Sequence, residues 1–180
     1  MTPTRRRFDR TSDSVQLDTA DDSDIRPEDW KEQFLDALLE LPPDAFERLA
    51  QRLLREAGFA SVLVTGRSGD GGIDGTGTLV VENLLSFPVF FQCKRWRGSV
   101  APSAVRDFRG AMAGRGDKGL LITTGTFTRE AKREASRPGA PPIDIVDGEK
   151  LCELLKEHGL GVQSRTVEEV TVDQEWLADV

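Results

Sequence analysis

Hydrophobic positions along the chain follow two spacings, one typical of helices and one typical of strands. Apolar residues recur at helical spacing over 30–41, and a proline pair ends that run. A second helix is predicted over 43–57, where apolar residues stand three and four positions apart and Gly58 follows as the terminating residue. Both segments are therefore expected to bury one face against a core.

The rest of the chain alternates between strand-like and helix-like patterns. Strands are predicted at 61–65, 73–81, 88–94, 119–124 and 143–146, and further helices at 102–113, 128–137 and 148–158. The order is two helices, three strands, and then helix and strand in alternation. It predicts an α/β protein with a mixed central sheet and helices on both of its faces.

The two ends of the chain differ from its middle. Residues 1–26 mix Arg, Asp, Ser and Thr with almost no apolar anchors, which predicts a disordered N-terminal tail. A leading helix at 27–42 then precedes a main domain at 43–163. Residues 164–180 alternate Val and Thr with acids, which predicts an edge strand or extension that serves as a docking segment or a dimer contact.

Composition narrows the class of protein. The 180 residues suit one domain, and 38% hydrophobic with 31% charged residues is typical of a soluble globular chain. No apolar run is long enough for a transmembrane helix and no secretory signal is visible, so a cytoplasmic location is expected. Cys93 and Cys152 stand alone and are expected to be buried thiols rather than zinc ligands or a disulfide.

Charge is distributed unevenly. The net charge is −7, which alone argues against a nucleic-acid ligand. However, residues 92–139 carry 11 basic and 4 acidic groups. Residues 1–91 carry 10 basic and 17 acidic groups, and residues 140–180 carry 3 basic and 10 acidic groups. The central block therefore favours a surface that binds a polyanion, although solvated helix faces would give the same pattern.

A glycine-rich segment lies at 66–77 and reads GRSGDGGIDGTG, with Asp70 and Asp74 within it. It lacks the GK[ST] of a phosphate-binding loop, the spacing of a dinucleotide fingerprint and the glutamate that closes a calcium loop. Two interpretations stay open at this point. Glycines allow a close approach of the backbone to a ligand, and aspartates also serve simply to satisfy turn backbone.

The second polar feature follows in the next predicted strand. Strand periodicity places Gln92 and Lys94 on one face. With Asp74 from the neighbouring strand, an amide oxygen, an ammonium and a carboxylate would suit a hard divalent cation and an activated water. The alternative is the exposed face of an edge strand, where a lysine discourages aggregation.

Together these segments resemble a known family, the Mrr-type restriction endonucleases, whose catalytic domain belongs to the PD-(D/E)XK nucleases. The resemblance covers about residues 43–163 and runs through FERLAQRLLREAGF, GGIDG, FQCKRW, VRDFRGAM, KGLLITTGTFT and PIDIVDGEKL. It implies a restriction-endonuclease-like αβββαβ core and cleavage of double-stranded DNA with Mg²⁺, or Mn²⁺, in restriction of foreign DNA. It also implies a homodimer and leaves room for a separate targeting protein.

The resemblance assigns roles to individual residues. Asp74 is the principal metal ligand, Gln92 is a ligand or orients water in place of the second acid, and Lys94 activates water and stabilises charge. Glu47, on the second helix, points at the metal, unless its capping-box spacing from Asp44 makes it a helix cap. Arg95, Arg97, Arg106, Arg109 and Arg115 are the candidates for contact with the DNA backbone.

Two other functions stay open on sequence grounds. Because Gln92 is neutral, the site holds one negative charge fewer than an Asp or Glu version and should bind a cation more weakly. The same fold would then serve as a catalytically weak module that binds DNA or a partner. A Holliday-junction-type resolvase would use the same chemistry on branched DNA.

Overall fold

The computed structural model describes residues 30–64, 72–82, 84–165 and 170–179. The predicted tail at 1–26 and residues 66–71 of the glycine-rich segment, with Asp70, lie outside these residues. The helices are α1 (Trp30–Glu40), α2 (Pro43–Glu56), α3 (Pro102–Met112), α4 (Arg129–Ala135), α5 (Gly148–Glu157) and α6 (Gln174–Ala178). The strands are β1 (Phe59–Val64), β2 (Gly75–Val81), β3 (Leu85–Lys94), β4 (Ser99–Val100), β5 (Gly119–Thr123), β6 (Thr126–Phe127) and β7 (Ile143–Val146).

Five of the strands form one mixed sheet in the order β1-β2-β3-β5-β7. The pairs β1/β2 and β2/β3 are antiparallel, and the pairs β3/β5 and β5/β7 are parallel. The parallel pairs are possible because α3 and α4 carry the chain back between successive strands. The predicted αβββαβ order with a mixed central sheet is confirmed.

Helices cover both faces of this sheet. On one face, α3 and α4 enclose a cluster that includes Phe90, Phe108 and Leu121. On the other, α1, α2 and α5 enclose a second cluster that includes Phe46 and Leu155. Each large apolar side chain buried in this way contributes about 1.5–3 kcal/mol, so the two clusters hold the strand ends in a fixed relation.

The boundaries of β3 show where tertiary context extends a local pattern. The strand was predicted from Pro88 but begins at Leu85. Pro88 pairs with Thr78 of β2, while pairing with β5 starts only at Phe90. Proline is tolerated because its missing N–H faces the side of the strand that has no partner there. The short parallel pair β4/β6 was not predicted, since two residues per strand leave no periodic signal.

The predicted C-terminal edge strand at 164–180 is wrong for the residues that the structure describes there. Residues 164–165 and 170–173 are not in a strand, and 174–178 form helix α6. The carboxylate of Asp173 accepts a hydrogen bond from the Trp176 N–H at 3.0 Å. This N-cap satisfies the first helical turn and outweighs the alternation of Val and Thr.

Within the described ranges, no helix combines the length and the apolar character needed to cross a lipid bilayer.

Candidate functional site

The backbone brings Asp74 and the end of β3 together. Asp74 directly precedes β2, and the last antiparallel pair of the β2/β3 ladder joins Gly75 to Phe91. The Asp74 N–H donates to the Phe91 carbonyl at 3.0 Å. Its carboxylate then reaches across and accepts from the Cys93 N–H, with 2.5 Å between Oδ2 and N. The carboxylate is therefore fixed beside the stretch that carries Gln92 and Lys94.

Gln92 is held from the same side. Its side chain is only 5% exposed, and Nε2 donates a hydrogen bond to the carbonyl of Gly72. A carbonyl can only accept, so the amide must turn its nitrogen towards Gly72. The amide oxygen is consequently the atom that Gln92 has to offer to a cation or to a water molecule.

Gly72 makes this arrangement possible. Its φ is +93°, in the region that favours glycine, and a Cβ added there would lie 2.4 Å from Gln92 Nε2. The glycine-rich segment therefore does allow a close approach at this position. What the backbone approaches is the Gln92 side chain, which had no counterpart in the sequence analysis.

Asp74, Glu47 and Lys94 influence one another electrostatically. Burial raises the pKa of Asp74 to about 6, while the Cys93 N–H lowers this pKa, the Glu47 carboxylate raises it and the Lys94 ammonium lowers it. Burial, Asp74 and Glu47 also raise the pKa of the half-buried Cys93 thiol. The structure thus brings four predicted residues, Asp74, Gln92, Lys94 and Glu47, to one end of the β2/β3 pair.

The alternative role for Glu47 as a helix cap is not realised. Helix α2 begins at Pro43, and its N-cap residue, Pro42, provides no side-chain hydrogen bond. Asp44, the other half of the expected capping box, pairs instead with Arg48 at 2.5 Å. Glu47 is half-buried beside the buried Phe46, and its carboxylate acts on Asp74 rather than on the start of the helix.

An aromatic side chain accompanies Lys94. The Lys94 Nζ lies 5.0 Å from the centroid of the Trp96 ring. The Trp96 backbone is tied to the end of β5, because its N–H donates to Thr124 Oγ1 and its carbonyl accepts from the same hydroxyl, each at 2.9 Å. The feature of the sequence that could have predicted this contact is that Trp96 follows Lys94 by two residues.

Two of the five arginines predicted to contact DNA are engaged within the protein. Arg95 is half-buried and donates to the carbonyls of Leu39, at 2.6 Å, and Leu41. Arg109 is 9% exposed and donates to the Glu134 carboxylate at 2.5 Å and to the Pro141 carbonyl at 3.1 Å. Because their donors serve the fold, we reassign both residues from DNA contact to structural support.

The other three arginines are exposed but do not form one cluster with the site. Arg97 follows β3 and lies near the carboxylates of Asp36 and Glu40, at 3.7 and 3.4 Å. Arg106 lies in the first half of α3 with its side chain 53% exposed. Arg115 precedes β5 and lies at the end of the sheet away from Lys94, since β5 runs parallel to β3 and Lys94 pairs with the last residue of β5.

The oxygen donors at the site suit a hard cation but are few. Carboxylates and amide oxygens are the ligands that Mg²⁺ prefers, and Asp74, Glu47 and Gln92 carry them. Across the described ranges, no three His, Cys, Asp or Glu side chains come together as a metal cluster. The oxygen atoms that this end of the β2/β3 pair has to offer a cation are therefore those of two carboxylates and one amide.

Comparison with known proteins agrees with this fold. The Mrr catalytic-domain family, described as restriction endonuclease, matches residues 38–155, about two thirds of the chain. The solved restriction endonuclease AspBHI superimposes with a TM-score of 0.59 at 23% identity, over 72% of this chain and 36% of that one. The MspJI restriction endonuclease, solved with a 27-mer oligonucleotide, gives 0.58 at 27% identity, over 72% and 32%. The fold is that of the restriction endonucleases.

Curated relatives give the particular family. The type IV methyl-directed restriction enzyme EcoKMrr of Escherichia coli K12 is 33% identical over 151 residues, which cover 81% of this chain and 48% of that protein. An uncharacterized mitochondrial protein of Schizosaccharomyces pombe is 34% identical over 110 residues, 57% of this chain and 44% of that protein. The chain belongs to the Mrr family of restriction endonucleases, and it spans about half the length of these relatives.

Proposed function

We propose that this chain is a metal-dependent endonuclease that hydrolyses phosphodiester bonds of double-stranded DNA in the restriction of foreign DNA. The observation that carries the proposal is the convergence of Asp74, Gln92 and Lys94 at adjoining ends of two strands, within a chain of the restriction endonuclease family. The 27-mer oligonucleotide bound to MspJI supports DNA as the class of ligand.

Asp74, Glu47 and the amide oxygen of Gln92 would hold Mg²⁺ or Mn²⁺. When bound, this cation supplies Lewis acidity at the scissile phosphate and lowers the pKa of an attacking water. The chain provides the orientation of the ligands. The Cys93 N–H holds one carboxylate oxygen of Asp74, and the Gly72 carbonyl holds the amide nitrogen of Gln92. The second carboxylate oxygen of Asp74 and the amide oxygen of Gln92 would then be the atoms available to the cation.

Lys94 has two tasks in this scheme. Its ammonium favours the ionised form of Asp74, which is the form that binds a cation. The same charge, next to the substrate phosphate, would stabilise the negative charge that grows on the phosphoryl oxygens as water attacks. A preorganised ammonium in a partly dehydrated site contributes more to this step than it would in bulk water.

Duplex DNA would approach through the basic central block. Arg97 and Arg106 are exposed at the end of the fold where β3 finishes and α3 begins, and each offers a fork of donors to a backbone phosphate. Arg115 lies towards the opposite end and would contact a phosphate further along the duplex. A homodimer and a separate targeting protein stay predictions that rest on the family resemblance, and a cytoplasmic location stays a prediction that rests on the sequence pattern.

Plasmid cleavage tests the proposed function. Wild-type protein is expected to nick or linearise plasmid DNA with Mg²⁺ or Mn²⁺, and Asp74→Ala and Lys94→Ala are expected to lose this activity by at least about a hundredfold. Glu56→Ala and Arg52→Ala are the controls, because those two residues form an exposed pair on α2, 3.1 Å apart, outside the basic central block. Equal cleavage by wild type and both site variants would refute the assignment.

A second function is favoured by one feature of the site. Gln92 is uncharged and the described acids include no three-member cluster, so a DNA-binding module with little turnover would have the same fold. It predicts that wild-type protein binds duplex DNA at moderate salt but leaves it intact with Mg²⁺ and with Mn²⁺. Cleavage that is lost in Asp74→Ala, with binding retained, would exclude this alternative.

A further inference from the structure

The indole of Trp96 stands next to the ammonium of Lys94 at the exit of β3. The 5.0 Å between Nζ and the ring centroid is within the range of about 6 Å in which a cation is attracted to the face of an aromatic ring. Tryptophan gives the strongest such attraction of the aromatic residues. A lysine has four rotatable side-chain bonds, so a partner that favours one position of the ammonium narrows where its charge can be.

The backbone of Trp96 is held in place by Thr124. The Trp96 N–H and carbonyl both bond to the hydroxyl of Thr124, which is 5% exposed and follows β5. The Thr124 N–H in turn donates to the Lys94 carbonyl at 3.3 Å. Thr124 thus connects the backbones of Lys94 and Trp96 and fixes the points from which the two side chains leave the chain.

The residue between Lys94 and Trp96, Arg95, also holds this stretch of backbone in place. Arg95 donates hydrogen bonds to the carbonyls of Leu39 and Leu41 at the end of α1. Trp96 is 38% exposed and also lines a cleft of about 470 Å³ with Leu35 and Leu39 of α1. The ring therefore borders an open cleft next to α1 and has the Lys94 ammonium near its face, so Trp96 is not simply a core residue.

We propose that Trp96 is a positioning residue, which holds the Lys94 ammonium at the reaction centre through a cation–π contact. The inference rests on the proposed function, since the benefit arises only if Lys94 takes part in phosphodiester hydrolysis. It assigns Trp96 no contact with DNA. Trp96 should then affect the rate of the chemical step rather than the affinity for duplex DNA.

The contact can be measured without metal or DNA. In ¹H–¹³C NMR spectra of the metal-free protein, the Lys94 ε-methylene signal should lie upfield of the other lysines because of the Trp96 ring, and Lys94→Arg would identify it by its loss. Trp96→Leu should return the signal to the ordinary lysine position, and Trp96→Phe should keep part of the displacement. An ordinary position in the wild-type protein would overturn the proposal.

Kinetics then test the effect on catalysis. Trp96→Leu is expected to lower kcat about fivefold with KM and metal-free duplex affinity unchanged, and Trp96→Phe to recover activity to within about twofold of wild type. Trp30→Leu is the matched control. Trp30, on α1, has the ammonium of Lys156 of α5 over its ring at the same distance, 5.0 Å from the centroid. This control should leave kcat unchanged, and thermal melting of each variant reports whether it folds.

The outcomes separate this inference from the proposed function. Weaker duplex binding by Trp96→Leu with unchanged kcat would overturn positioning and make Trp96 a DNA contact. An unchanged kcat together with unchanged binding would also overturn it. A wild-type protein that shows the upfield signal but cleaves no DNA would overturn the proposed function, and with it the catalytic benefit, while the contact itself would stand.

Discussion

At the scale of single residues, the site combines a buried charge with tight backbone geometry. Asp74 lies in a partly dehydrated position. Its carboxylate accepts from the Cys93 N–H and is influenced by the Lys94 ammonium and the Glu47 carboxylate. Gln92 depends on a glycine that no other residue can replace without a shift. Both features cost folding free energy in the absence of a ligand, which is common where a site is preorganised for binding.

Asp74 should make the stability of the metal-free protein depend on pH. Its pKa rises from 3.8 to about 6 on folding, so its contribution to stability is fully present below pH 4 and is lost as pH rises through 6. Asp74→Asn keeps an acceptor for Cys93 N–H without the charge. The variant should therefore gain about 1 kcal/mol over wild type between pH 4 and 7, allowing for solvent screening of a half-buried group.

Urea unfolding in EDTA at several pH values measures this difference. Asp144→Asn, at an exposed carboxylate, is the control and should show no such trend. Addition of Mg²⁺ at pH 7 should stabilise wild type and not Asp74→Asn, because the cation binds the ionised form. A gap between wild type and Asp74→Asn that stays constant from pH 4 to 7 would contradict the assignment.

Gly72 provides a second test at the residue scale. Gly72→Ala places a Cβ 2.4 Å from Gln92 Nε2 and also strains a backbone with φ of +93°, so it should cost about 2 kcal/mol and reduce cleavage at least tenfold. Gly139→Ala shares the positive φ, +76°, but meets nothing within 4 Å. It should cost only about 1 kcal/mol and leave cleavage unchanged. Equal cleavage by the two variants would show that Gln92 needs no fixed position.

At the scale of elements, α1 is a support for the end of β3. Arg95 links that strand end to the carbonyls of Leu39 and Leu41, where α1 finishes. At the other end of α1, Lys31 pairs with Glu149 and Glu153 of α5, at 3.2 and 2.7 Å. The leading helix predicted at 27–42 thus packs as part of the folded unit, and its position affects the residues that follow Lys94.

Two arginines that lie two positions apart, Arg95 and Arg97, test whether α1 supports the end of β3. Arg95→Met leaves two carbonyls at the end of α1 without their donor and should lower the free energy of unfolding by about 2 kcal/mol. Arg97→Met removes only exposed ion pairs with Asp36 and Glu40 and should cost about 0.5 kcal/mol or less. Chemical denaturation of the two variants compares them directly. Similar losses would mean that Arg95 is not a structural link.

At the scale of the whole molecule, opposite charges occupy different parts of one small fold. The central block of 11 basic and 4 acidic groups lies between two acidic segments, so an acidic protein can still present a basic surface. Folding removes Arg109 from that surface, because it pairs with the nearly buried Glu134, and leaves Arg97 and Arg106 exposed. Charge along the sequence therefore overstates the charge available to DNA.

Salt dependence of DNA binding should report which arginines contact phosphate. Arg97→Gln and Arg106→Gln should each lower the slope of log affinity against log salt by about 1. Arg48→Gln, an exposed arginine on α2 that pairs with Asp44, is the control and should leave the slope unchanged. Fluorescence anisotropy with a labelled duplex at several salt concentrations gives these slopes, and identical slopes for all four proteins would remove both residues from the proposed DNA surface.

The order of secondary structure and the chemical groups of the site were accessible from the sequence alone. Helix and strand periods are local, so α2, α3 and α5 fall close to their predicted places, and the adjacency of the strands that carry Asp74 and Gln92 follows from a short hairpin. Helix α6 is not predicted, although its N-cap Asp173 is also a local feature, because the alternation of Val and Thr before it indicates a strand.

Only the tertiary structure decided which side chains are exposed and which way they face. The hydrogen bonds of Arg95 reach Leu39 and Leu41, which are 56 and 54 positions away in the chain. Arg109 pairs with Glu134, which is 25 positions away. The turn of the Gln92 amide towards Gly72 and the approach of Lys94 to Trp96 likewise depend on how strands, loops and helices pack. Periodicity records which face of an element is apolar, but burial and contact are set by neighbours that are distant in the chain.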